Sequence, residues 1–267
     1  MTRYVSDRLT ALMLVLMLGL TGYGAEQIGN RYQGSAPAME GNVYVLTCYI
    51  SETGWGEAEL KDFSALIQEA EDWLVKQAQG YGKQVSFVNG TAGVETPLIV
   101  SNIVSGNGIG DEPVDLVSRL MPMIGYKNGL EFVDWVKENT GCDGSLVLIA
   151  ANKPGRGYSM AYQDLYDKEA YYLEGTILYT SYRDGAPLCA AAIAHEMCHL
   201  FGAEDLYATF LQTKENEARA RELFPDDIML RVSYNIDDLS IGSLSAWFMG
   251  LTDEMENWYL DFLYQGQ

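Results

Sequence analysis

Only two histidines occur in this chain, and both fall in one pentapeptide, His195-Glu196-Met197-Cys198-His199. The surrounding stretch, Pro187 to Phe201, reads as a helix, with the proline suited to its first turn and Gly202 to its end. On such a helix, positions i and i+4 lie about 40° apart around the axis, so both imidazoles leave one face one turn apart. That spacing lets the pair hold a single tetrahedral zinc ion. Glu196 stands next to the first histidine, where its carboxylate reaches a metal-activated water and takes its proton as a general base. A five-residue string can arise by accident. The lack of any other histidine and the independent helical pattern favour the metal.

A catalytic zinc takes three protein ligands, and with no third histidine the remaining one must be of another type. Past the second histidine the chain reads Leu200-Phe201-Gly202-Ala203-Glu204-Asp205. Gly202 admits positive φ and a sharp return of the backbone. Asp205 can then approach the metal from outside the helix, with Glu204 as a fallback. A second scheme draws a glutamate from the next helix, where Glu215, Glu217 and Glu222 are available. Their neighbours Lys214, Arg219 and Arg221 fit a solvated, charge-paired face better.

The rest of the chain alternates strand and helix patterns. Asn42 to Ser51 is β-branched and aromatic, and Glu57 to Gly80 carries apolar residues at helical steps (Leu60, Phe63, Ile67, Ala70, Leu74). Strand-like runs follow at Gln84 to Val88 and Pro97 to Val104, then two helices between Asp111 and Asn139, broken near Gly125 to Gly129. Ser145 to Ala151 is continuously apolar, as a strand buried on both faces should be. Gly157 to Gln163 and Tyr171 to Thr180 read as further strands, Thr213 to Leu223 as a polar helix, and Ser243 to Tyr264 as a final helix. The expectation is α+β, a mixed α/β sandwich with a twisted, mostly parallel sheet.

The stretch HEMCHLFGAED resembles the extended zinc motif of the metzincin metallopeptidases, with Asp205 in its last place, as in the snapalysin family. Met229, in Asp227-Ile228-Met229-Leu230 after Pro225, resembles the methionine turn that lies beneath the metal in that family. The resemblance implies a sheet whose edge strand, here Gly157 to Gln163, pairs with extended peptide, and a small C-terminal helical lobe. It also implies zinc-dependent endopeptidase activity on peptides or proteins. Two departures stand out: the acidic third ligand leaves the site with one less positive charge, and no tyrosine adjoins the methionine turn. Tyr207 and Tyr234 are the candidate replacements. Two other readings stay open, a zinc-fold binding module without activity and a zinc hydrolase whose third ligand is a distant glutamate.

Composition narrows the partners. The formal net charge is -20, so a basic stripe for nucleic acid is lacking and anionic lipid is an unfavourable surface. The acidic excess has no EF-hand spacing, so calcium is unsupported. At the N-terminus, Arg3 and Arg8 precede an apolar run from Leu9 to Leu20 and small residues at Gly22, Gly24 and Ala25. That order describes an export signal, or failing that an anchor, so residues 1–24 are expected to direct the chain to the extracellular side or cell surface. Residues 25–41 read as a linker and 42–267 as the catalytic domain. Of the four cysteines, Cys189 and Cys198 share a helix roughly 13 Å apart, too far for a disulfide, whereas Cys48 with Cys142 is left open.

Overall fold

The computed structural model describes residues 31–32, 34–101, 112–160, 173–209 and 212–263. The expected signal at 1–24 lies outside them, as do residues 25–30 and 33 of the expected linker and the ends of three expected strands at 102–104, 161–163 and 171–172. Among the described residues no helix is long and apolar enough to cross a membrane.

Among the described residues six strands form one sheet: β1 (Gly41–Ser51), β2 (Val85–Ala92), β3 (Leu98–Ile99), β4 (Gly144–Pro154), β5 (Tyr158–Met160) and β6 (Gly175–Ser181). Their order is β2-β1-β4-β6-β5, with β3 pairing the end of β1. Every pairing is parallel except that of β5 with β6, which is antiparallel and places β5 at an edge. The mixed α/β architecture with its mostly parallel sheet is thus as the alternating pattern implied.

The central strands explain the layering. Successive side chains on a strand point to opposite faces, and β4 sends Leu146, Leu148 and Ala150 into one core and Val147, Ile149 and Ala151 into the other. On the first face lie α1 (Glu57–Gly80) and α4 (Ala190–Leu200); on the second lie α2 (Glu112–Met123) and α3 (Gly129–Asn139). Such a doubly covered strand has no polar face, which is why 145–151 is apolar throughout. All four cysteines are buried free thiols, and Cys48 and Cys142, left open as a pair, are unbonded in the second core.

Two helix boundaries differ from expectation. The zinc-motif helix begins at Ala190, because Pro187 is engaged in an antiparallel bridge with Ser181 and Cys189 is still extended. The last helix, expected to reach Tyr264, is α6 (Ser243–Phe248), followed by a separate 3-10 turn at Asn257–Phe262. Gly250, at φ +71°, ends α6, and a Cβ there would meet Ala38 at 2.7 Å. Between α4 and α6 the chain forms α5 (Lys214–Leu223) and a 3-10 turn at Ile236–Asp238.

The segment read as a linker is packed at its described end. Ala36 and Met39 are buried, and Met39 N donates to Met249 O at 2.9 Å. Ser35 Oγ lies 2.7 Å from Ser145 O, while Ser35 N donates to the buried Glu174 carboxylate at 2.7 Å. Arg31 lies over the rings of Tyr32 and Trp247 and donates to Trp247 O at 2.6 Å.

Candidate metal centre

Helix α4 packs Ala190, Ile193, Ala194, Met197 and Cys198 into the first core and turns His195, Glu196 and His199 to a half-buried face. It ends in a complete glycine stop. Ala203 N donates to Cys198 O at 3.1 Å and Gly202 N to His199 O at 2.9 Å, with Gly202 at φ +96°. This pair of bonds, with a left-handed residue between, is the Schellman arrangement that satisfies the last carbonyls of a helix. The chain therefore doubles back, and Leu206 N is caught by Met229 O at 2.9 Å.

That return brings Asp205 to the histidines. Its Oδ1 lies 3.4 Å from His195 Nε2 and 3.3 Å from His199 Nε2, and one ligand atom from each of the three residues lies within 4.8 Å of the others. The tautomers follow from the far side of each ring. His195 Nδ1 lies 2.9 Å from Ile228 O and His199 Nδ1 lies 2.8 Å from Ala203 O. A carbonyl oxygen only accepts, so each Nδ1 carries the proton and each Nε2 turns a lone pair toward Asp205. Asp205 Oδ1 is buried and, among the described residues, has no hydrogen-bond partner of its own.

Three lone pairs converging on one point repel one another unless a cation sits between them. The geometry fits zinc: ligand atoms about 2.0–2.1 Å from a tetrahedral ion stand about 3.3–3.4 Å from each other. Without a metal, a proton must serve. Burial opposes charge on His199, but the Asp205 carboxylate and its hydrogen bond outweigh that and raise the imidazole to about 10. Burial would likewise raise Asp205, yet the two imidazoles hold it well below the usual carboxylate range.

The other singled-out residues fall into place around this cluster. Met229 is fully buried, and Asp227 holds its turn by accepting from Met229 N at 2.7 Å and from Gly242 N at 2.8 Å. Tyr207 lies alongside His195, ring centroids 6.4 Å apart, and burial together with the neighbouring Asp205 carboxylate raises its phenol. Glu204 is half-buried beside the cluster but outside the converging set, and burial raises its carboxyl to about 7. Tyr234 is 65% exposed and lies outside the converging set of His195, His199 and Asp205. Glu217 is spent elsewhere, accepting from Ala208 N at 2.9 Å and pairing with Arg221, while Glu215 and Glu222 are exposed.

Some neighbours had no signal of their own in the sequence. Ser159 on β5 donates through Oγ to Glu196 Oε2, and the carbonyls of Ile228 and Ala203 fix the imidazoles. A backbone carbonyl leaves no trace in side-chain identity, and a serine in a short strand has no distinguishing pattern.

Neither a family model nor a curated protein matches the chain. Among solved structures it is similar to metalloproteinase-II from Bacteroides fragilis, with 12% identity and a TM-score of 0.36 over 91% of this chain. The chain spans 60% of that protein's length. It is also similar to a zinc-dependent peptidase from Methanocorpusculum labreanum (strain Z), with 13% identity and a TM-score of 0.29, over 76% of this chain and 99% of that one. Superpositions this loose carry no argument, and the reading rests on the geometry.

Proposed function

We propose that the chain is a zinc-dependent endopeptidase of the metzincin kind, with His195, His199 and Asp205 as metal ligands and Glu196 as general base. The observation that carries the reading is the meeting of three lone pairs at one buried point, at spacings that suit tetrahedral zinc. When bound, zinc supplies Lewis acidity, which makes water a competent nucleophile near neutral pH and polarises a carbonyl. The chain does the rest. Glu196, one residue from a ligand and half-buried at the same face, accepts the proton from water and passes it to the leaving amine. The edge strand β5 ends the sheet beside α4, so a peptide can add to its outer edge by main-chain hydrogen bonds. The Ile228 and Ala203 carbonyls keep both imidazoles in the ligating tautomer.

The basic, apolar and small-residue order of residues 1–24 supports export of this domain to the extracellular side. The organisation that goes with it is a signal at 1–24 and a catalytic domain from about residue 42, the packed segment before it being part of the folded unit.

The decisive test is Glu196→Gln, assayed on a diverse peptide library beside the parent. Zinc content should be unchanged while turnover falls by about 10²–10⁴-fold. Preserved turnover in that variant would sink the mechanism, and an inert zinc-loaded parent would leave a binding module.

A further inference from the structure

Strand β5 meets Glu196 at two points. Ser159 Oγ donates to Glu196 Oε2 and lies 3.0 Å from the Glu196 backbone oxygen. A hydroxyl has one proton for these two acceptors, and the shorter contact, to the carboxyl oxygen, takes it. Two residues earlier, just before β5, Gly157 lets the backbone pass close to the carboxylate: a Cβ built there would stand 3.0 Å from Glu196 Oε1. One oxygen of the carboxylate is therefore held by the strand, and the other lies against the backbone of Gly157, where no side chain covers it.

A glutamate on a helix surface is otherwise a flexible arm, and ordering it costs rotamer freedom. We propose that Ser159 is a positioning residue for Glu196. It binds Oε2 so that Oε1 is presented for proton transfer, and this rests on the peptidase reading above. The same strand that offers its outer edge to a peptide thus aims the base at it. Seating of the substrate and orientation of the carboxylate are tied to one rigid element rather than to two loops.

The test compares the zinc-loaded parent with Ser159→Ala and Ser159→Thr, by steady-state kinetics on a cleaved peptide and by crystal structures of the loaded proteins. Loss of an outer partner of this kind costs about 10–100-fold, here expected in kcat, with KM and zinc content nearly unchanged. Threonine keeps the hydroxyl and should restore most of the loss. The Ala variant should show the Glu196 carboxylate turned away from its parental position. If the parent cleaves and the Ala variant matches it in kcat, with Glu196 unmoved, the inference is overturned while the peptidase reading stands. If the zinc-loaded parent cleaves nothing, that reading fails, and the crystal structures alone decide. A displaced carboxylate in Ser159→Ala would then support the positioning role, and an unmoved one would end it.

Discussion

Glu174, where the N-terminal segment crosses the sheet, and Asp205, beside the two histidines, are both withdrawn from water, yet the chain equips them differently. Glu174 receives Ser35 N and Ser35 Oγ, all neutral donors. Burial still wins there and pushes its carboxyl up to about 8. Asp205 faces two imidazoles that can take a proton or share a metal, and it is held ionised against the same pull of burial. At Glu174 neutral hydrogen bonds soften the cost of burying a carboxylate without reversing it, whereas at Asp205 the neighbouring positive charge does reverse it. The first arrangement ties chain segments together. The second leaves a place for a cation.

The largest effect that separates the two regions is on stability against pH. A carboxyl whose folded pKa is raised from 4.5 to about 8 favours the fold fully below pH 4.5, and that contribution is lost as pH rises toward 8. At about 1.4 kcal/mol per unit the loss is at most about 5 kcal/mol. Denaturant titrations of the parent between these pH values should show the decline, and Glu174→Gln should flatten it. An equally steep decline in that variant would remove Glu174 from the comparison.

Asp205→Ala should weaken zinc binding by roughly 100-fold or more, read by competition with a chelator, since even outer-shell partners of a metal are worth about 10–100-fold. Glu174→Gln should leave that affinity alone. Equal zinc affinity in parent and Asp205→Ala would make Asp205 a second structural carboxylate.

How far the sequence revealed these two regions follows from the range of the contacts involved. The stretch from His195 to Asp205 was legible because a helix period, a glycine stop and two histidines are local signals, and Glu57–Gly80 was legible in full for the same reason. The Ser35–Glu174 contact spans 139 positions, and small polar residues at 34–41 carry no pattern that separates a docked segment from a free one. The last helix was overread for a related reason. Leu244, Trp247, Phe248 and Leu251 continue a helical period, but the turn at Gly250 is fixed by Ala38 from the other end of the chain. Ser159 was missed because its role exists only once β5 lies against α4.

Smaller effects complete the comparison. Removing zinc from protein held at about 100 times its Kd should cost about 2.7 kcal/mol, on the order of 5–10 °C in a thermal melt. The shift should vanish in His199→Ala, whereas a shift of equal size in that variant would place the ion elsewhere. Reductant should leave the melt of the metal-loaded protein where it is, because all four thiols are already unpaired. A reductant-induced drop would instead reveal a disulfide and contradict the buried, separate thiols.

The three proposed ligands all come from the short stretch between His195 and Asp205, closed on itself by the glycine stop and by the His199 contact to Ala203 O. In kinetic terms this is a centre of low contact order: closing so small a loop is entropically cheap, and its parts can meet before the sheet is complete. Only Ile228 and Met229 must arrive from further along the chain. A peptide covering this stretch should therefore bind metal weakly alone, and grafting it onto another scaffold would require only a carbonyl in the place of Ile228 to lock the first ring.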